Sequence, residues 1–205
     1  MKTDRGTLFV FSGPSGTGKG TILSGYFDKY KDNKLKYSVS ATTRSPRSGE
    51  VDGVNYFFKT KDEFQKMISD GEFLEWASFC DNFYGTPLKY INDMLDSGVD
   101  IVLEIETVGA MKVREKCPDA VMIFVLPPSM NVLRKRLTER GTEDSAVVEK
   151  RLSVAKGEIL LSAKYDYILV NDDLSVAVDQ LYSIVTAERL KTRRNNNTIN
   201  EVLKK

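Results

Sequence analysis

One stretch restricts the fold of this chain more than any other: Gly13-Pro14-Ser15-Gly16-Thr17-Gly18-Lys19-Gly20-Thr21. It satisfies G-x-x-x-x-G-K, in which glycines let successive backbone N–H groups curl around phosphate oxygens without Cβ clashes. Such a loop works only when a strand delivers the chain to it and a helix leaves with its positive end aimed at the anion. Both flanks comply. Residues 7–12 form a short β-rich apolar run, and Lys19–Tyr30 has helical spacing at Ile22, Leu23, Tyr26 and Phe27. The reading is a nucleoside triphosphate site held by the whole segment, with Lys19 reaching the β- and γ-phosphates. The position after the lysine normally carries a Ser or Thr whose hydroxyl ligates Mg²⁺, but here it is Gly20. Thr21 is then the available hydroxyl, acting on Mg²⁺ through a water or only capping the helix, and the alternative is a cation held by phosphates and solvent.

Further strands are expected at residues 37–40, 101–105, Val121–Leu126 and 168–170, with helical segments between them. Thr86-Pro87 reads as an N-cap followed by proline at the first helical position, Gly98 as that helix's stop, Ser129 as a cap, and Leu174–Leu190 as a final amphipathic helix. Strands alternating with helices imply an α/β fold with a parallel sheet covered on both faces. Residues 41–85 break the rhythm with Ser-Pro and Ser-Gly turns, an Asp52-Gly53 hairpin signal and aromatic strand candidates at 56–58 and Phe73–Phe79. A Thr60/Glu63 capping box and Gly71 bracket a short helix there. This segment reads as an inserted subdomain, and the tail from Thr192 as polar and frayed.

Composition removes several functions. The 205 residues suit one domain, and the 30 basic against 29 acidic residues argue against a general nucleic-acid or lipid binder, so any anion site must be local. There is no histidine, which discounts triad hydrolysis and zinc catalysis, and Cys80 and Cys117 read as reduced, semi-buried thiols. The sequence has neither a membrane-length apolar run nor a signal-peptide layout, giving a cytoplasmic reading without membrane partners. A P-loop alone does not separate a GTPase switch, an ATPase and a small-molecule kinase. The absence of D-x-x-G and N-K-x-D discounts the switch, and the inserted segment points to a second substrate.

That segment holds Ser38-Val39-Ser40-Ala41-Thr42-Thr43-Arg44-Ser45-Pro46-Arg47-Ser48-Gly49-Glu50, with two arginines that can each grip phosphate oxygens bidentately. The stretch closely resembles the acceptor loop of guanylate kinases. The similarity continues through residues 51–58, Glu72-Phe73-Leu74-Glu75-Trp76-Ala77, Asn82-Phe83-Tyr84-Gly85-Thr86, residues 136–151 and Val170-Asn171-Asp172-Asp173, in the family's order. The resemblance implies a P-loop nucleoside-monophosphate-kinase fold with a five-stranded parallel sheet. Its core would be residues 1–39, 88–128 and 155–205, with a GMP-binding subdomain at 40–87 and a helical lid at 129–154. It implies transfer of the γ-phosphoryl group of ATP to GMP with Mg²⁺, in purine nucleotide metabolism, by a monomer or homodimer.

Carried onto this chain, Arg44, Arg47, Tyr56 and Tyr84 would hold the GMP phosphate, with Glu50 in the same loop, and Ser40, Glu75 and Thr86 the guanine. Guanine's N1–H and N2–H₂ donors lie side by side, as a carboxylate such as Glu75 requires, and adenine offers no such pair. Glu104 and Glu106 end a strand on one face, where ligands bind; by resemblance they contact the acceptor guanosine or organise Mg²⁺ and water. The family commonly has Asp, a hydrophobic residue, Gln and Gly at this place, whereas this chain has Glu106-Thr107-Val108-Gly109. Arg136, Arg140 and Arg151 would line the lid over the transferring phosphate, with Lys19 and Arg44 completing the catalytic set, and Asn171 would contact the adenine. Trp76 reads as core. Two alternatives stand beside this reading: a guanylate-kinase-like module that binds phosphopeptides without catalysis, and a kinase for another nucleotide.

Overall fold

The computed structural model describes residues 4–139 and 145–204, apart from the Phe79 side chain. Strand β1 (Leu8–Ser12) is buried along its whole length, which explains why its sequence is an unbroken apolar run rather than an alternating one. It runs into the glycine loop and then α1 (Lys19–Tyr30), as the sequence predicts. The chain next forms β2 (Leu35–Tyr37), then the small strands β3 (Ala41–Thr42) and β4 (Phe57–Phe58), helix α2 (Lys61–Ser69), β5 (Phe73–Phe79) and β6 (Asn82–Pro87). Helix α3 (Leu88–Asp96), β7 (Asp100–Glu104), α4 (Thr107–Lys116) and β8 (Val121–Leu126) return it to the main sheet. The rest is α5 (Met130–Thr138), α6 (Ser145–Leu160), β9 (Tyr167–Val170), α7 (Leu174–Leu190) and α8 (Asn196–Leu203).

The five-stranded sheet has the order β2-β7-β1-β8-β9, with every neighbouring pair parallel. After β1 the chain runs to the edge strand β2, returns to place β7 between β2 and β1, and then crosses to β8 and β9 on the other side. That reversal leaves a crevice beyond the carboxyl ends of the central strands, where the glycine loop emerges. Alternation along β1 divides the core: Phe9 and Phe11 pack with Ile22, Tyr26, Val178 and Leu181 from α1 and α7, whereas Leu8 and Val10 pack with Ile91, Leu95, Ala110 and Val113 from α3 and α4. Helices α5 and α6 form a separate apolar pair through Leu133, Leu137, Val148 and Leu152.

Residues 41–87 supply a second sheet, β4-β3-β6-β5. Its small core centres on Phe64 of α2, stacked 4.4 Å from Phe73 and 5.5 Å from Phe83 between ring centroids. The Thr60/Glu63 capping box starts α2, both reciprocal bonds being present, and Ser129 caps α5 through the Val132 amide.

Five local expectations are corrected. The second strand ends at Tyr37 instead of occupying 37–40. Thr86 is not a helix cap: it lies within β6, and Pro87 itself occupies the N-cap position of α3. Asp52-Gly53 makes a parallel bridge to Tyr56, while the true hairpin joins β5 to β6 through Cys80 and Asp81, both at positive φ. Cys80 is exposed, not semi-buried, and Cys117 is half-buried. The tail forms α8, tied down by the Asn195 side chain donating to Arg189 O and by the Asn197 amide donating to Asp4. No described helix is long and apolar enough to cross a membrane.

Candidate active site

The phosphate-side half begins where β1 stops. Gly18 occupies the N-cap of α1 at φ 86°, so the first-turn amides receive no side-chain cap and remain suited to an anion. Its glycine identity is required twice over, because a Cβ there would stand 2.4 Å from Asn171 Nδ2. Asn171 occupies that place because its amide donates to Thr17 O at 2.8 Å, pinning the loop to the end of β9. Arg136 of α5 donates through Nη2 to Asn171 O at 2.8 Å, and its Nη1 is buried with no protein acceptor. Lys19 folds over the loop, donating to Gly13 O at 2.6 Å and Pro14 O at 3.1 Å.

A shallow cavity of about 380 Å³ flanks this loop, lined in part by Gly16, Gly18, Thr21, Arg136, Asn171 and Asp172. Thr21 therefore lies on the Asn171 side of α1. Gly20 lies on the other side, where a Cβ would come 3.7 Å from Glu104 Oε2. Glu104 stands in the open cleft, yet the protein mass around it raises its pKa, with the Lys19 charge opposing that rise. No three described carboxylate, thiol or imidazole side chains cluster into a metal cage. Gly20 leaves space beside the Glu104 carboxylate, which could face a hydrated cation carried on substrate phosphates.

The second half is a cavity of about 330 Å³ between the small sheet and the ends of β7 and α4, with Ser40, Tyr56, Glu75, Tyr84, Glu104 and Glu106 in its lining. Strand pairing sets Glu75 directly opposite Thr86, whose hydroxyl donates to Glu75 Oε1 at 2.7 Å. Glu75 is 7% exposed, and burial raises its pKa against the lowering effects of Thr86, Lys112 and Lys116. A carboxylate kept this dry and only partly satisfied has capacity to accept ligand N–H groups. Trp76, expected as core, is half-buried in the same lining.

Beside it, Arg44 Nη2 donates to Glu50 Oε1 at 2.8 Å, while the Arg47 amide donates to Glu50 Oε2 at 2.7 Å. The Glu50 pairing raises the Arg44 pKa, and Arg44 in turn lowers that of Glu50. The Arg44 guanidinium lies 5.5 Å from the Tyr56 ring centroid, and Tyr56 meets Tyr84 edge-on at 6.3 Å. Arg44, Tyr56 and Tyr84 are thus brought together, with Arg47 at the exposed end of the same loop. Arg151 lies half-buried on α6 beside Leu152, and Arg140 falls outside the described residues.

Sequence reasoning missed three contributors. Thr42 accepts the Arg44 amide and ties the loop to Phe83 O. Gly109 faces Glu75 Oε2, which a Cβ would approach to 3.0 Å. Lys112 borders the cavity and donates to Trp76 O. None has a local signature, since each matters only through its partner in the folded chain.

The sequence profile described as Guanylate kinase matches residues 5–188. The chain belongs to the guanylate kinase family. It is 53% identical to the guanylate kinase of Halalkalibacterium halodurans, over 95% of this chain and 94% of that protein. With the guanylate kinase of Bacillus subtilis it shares 50% identity, over 93% of each chain. Among solved structures, the crystal structure of guanylate kinase from Anaplasma phagocytophilum matches with a TM-score of 0.73 and 34% identity, covering 98% of this chain and 96% of that one. The family's α/β architecture, a five-stranded parallel sheet with a separate small sheet, is the one found here.

Proposed function

We propose that the two cavities described above are the donor and acceptor sites of one phosphoryl transfer. The chain is an ATP:GMP phosphotransferase, as its family membership over residues 5–188 establishes. A GMP phosphate oxygen attacks the γ-phosphorus of ATP, the bond to the β,γ-bridging oxygen breaks, and ADP leaves with that oxygen. Such transfer needs positioning and charge neutralisation more than covalent chemistry from the protein.

In this reading the uncapped amides of α1 and Lys19 hold the ATP phosphates, while Thr21 and Asn171 line the nucleoside side. Arg44, Arg47, Tyr56 and Tyr84 bind the GMP phosphate. Glu50 neutralises Arg44 and orders its loop when no phosphate is present. Ser40, Glu75 and Thr86 read guanine, and Glu104 and Glu106 border the acceptor nucleoside. Arg136 and Arg151, with Arg140, neutralise the transferring group, and the buried, partnerless Nη1 of Arg136 is available for an oxygen of that group. A Mg²⁺ carried in on ATP would add neutralisation of the phosphate charge to that supplied by Lys19 and the arginines. Residues 40–87 and 129–154 are the parts proposed to close over a core of 1–39, 88–128 and 155–205. The enzyme acts in the cytoplasm as a monomer or homodimer.

The observation that carries the assignment is Glu75, a buried carboxylate with an unfilled Oε2 facing a cavity that also holds Glu104, on which Lys19 acts. Coupled ADP release with ATP tests it: turnover should require GMP. ADP formation that GMP leaves unchanged would refute it.

A further inference from the structure

Strand β5 forms one edge of the small sheet, so the outer row of its carbonyls has no strand neighbour. In a regular strand, carbonyls three residues apart point to opposite edges. Here the pairing with β6 shifts register between Phe73 and Glu75, which removes one step of that alternation. Phe73 O and Trp76 O consequently both turn toward α4. Lys116 Nζ donates to Phe73 O at 2.8 Å, and Lys112 Nζ donates to Trp76 O at 3.1 Å while lying 5.6 Å from the Trp76 ring centroid. The two lysines are four residues apart and share one face of the helix. Glu75 lies between the two gripped carbonyls, and the same helix contributes Gly109, whose missing side chain makes the recess for Oε2.

We infer that Lys112 and Lys116 are positioning residues for guanine recognition, holding β5 on either side of Glu75 and keeping its carboxylate in register with the acceptor cavity. The inference rests on Glu75 being the guanine-reading residue. Only the ionised carboxylate can accept from N1–H and N2–H₂ together, because a protonated one presents a donor to guanine's own donors. Burial favours the proton. The Thr86 hydroxyl from β6 and the two α4 lysines oppose it. The other charged groups bordering the cavity, Glu104 from β7 and Glu106 beyond it, are acidic and do not help. The lysines therefore supply the positive charge on this wall, and they tie the acceptor subdomain to a core helix at the point where specificity is set.

The test uses the full chain with both lysines changed to methionine, the two single variants, and a double Lys→Arg variant. The Met pair is expected to lower kcat/KM for GMP roughly tenfold, mostly through KM for GMP, with KM for ATP unchanged. The acid limb of its kcat/KM profile for GMP should move to higher pH, and the Arg pair should restore both properties. A Met pair that folds yet keeps the GMP KM and the acid limb of the parent overturns the inference. So does a loss that falls equally on both substrates and that arginine does not restore. Should the Met pair fail to fold, the single variants and the Arg pair carry the same readouts. Glu75→Gln separates the two claims: if it leaves GMP preference intact, the guanine reading fails, whereas a large effect there with silent lysine variants overturns only the lysine role.

Discussion

Replacing Glu75 by glutamine should separate activity from stability. The native carboxylate can accept two guanine donors, and hydrogen bonds to a charged acceptor contribute about 1.5–3 kcal/mol each. The amide keeps one acceptor and turns an NH₂ toward a guanine donor. The expected loss is about 3–4 kcal/mol, or roughly 100- to 1,000-fold in kcat/KM for GMP. Stability should move the other way. Burial raises the Glu75 pKa in the folded chain above its unfolded value. The folded state then binds the proton more tightly, so this group's contribution is fully favourable below the unfolded pKa and is lost as pH rises through the folded pKa. Glutamine has no such titration, and its amide oxygen can still accept from Thr86. At about pH 8 the variant should melt at or above the parent, with the advantage shrinking as pH falls through the carboxylate range. Coupled ADP release and thermal melting across pH measure both. A variant less stable than the parent at neutral pH, or one retaining kcat/KM within about threefold, would refute the reasoning.

Gly18→Ala places a Cβ 2.4 Å from Asn171 Nδ2 at a φ of 86°, so ATP affinity, read by calorimetry, should fall at least tenfold, which is about 1.4 kcal/mol or more. Gly109→Ala crowds Glu75 Oε2 at 3.0 Å and should raise KM for GMP while sparing KM for ATP. Asp100 is buried and accepts from the Thr7 amide and Arg189 Nε, both at 2.7 Å, so Asp100→Ala should cost about 3–5 kcal/mol in chemical denaturation, leaving Arg189 underpaired. Phe64→Ala empties the small sheet's core and should cost about 3–5 kcal/mol there, with GMP binding lost before ATP binding in titrations.

Features whose physics is local were legible from the sequence. The glycine loop with its strand and helix, the Thr60/Glu63 box and the Ser129 cap each follow from a few adjacent residues. The central strands β1, β7 and β8 were legible because buried strands are continuous apolar runs, whereas the edge strand β2 is buried only at Leu35 and carries no such run, so Tyr37 marks its end instead of its start. Elements that depend on distant partners were not. Thr86-Pro87 carries a helix-start signature, but pairing with β5 keeps Thr86 in strand conformation opposite Glu75. The β5–β6 hairpin turns on Cys80 and Asp81, whereas the residue preferences of such turns favour glycine and asparagine and pointed to Asp52-Gly53. The asparagine-rich tail looks frayed until Asn195 and Asn197 meet acceptors on Arg189 and Asp4. In the site, Glu75, Arg44 and both tyrosines were named from the resemblance; Gly109 and the α4 lysines emerge only from the packing of α4 on β5.

The most direct test of the central claim is turnover with ATP across a panel of nucleoside monophosphates. If Glu75 and Thr86 read guanine beside an arginine–tyrosine phosphate site, GMP should support ADP formation at least about a hundredfold better in kcat/KM than AMP, UMP or CMP. Comparable turnover with AMP or UMP would contradict the assignment of the acceptor cavity.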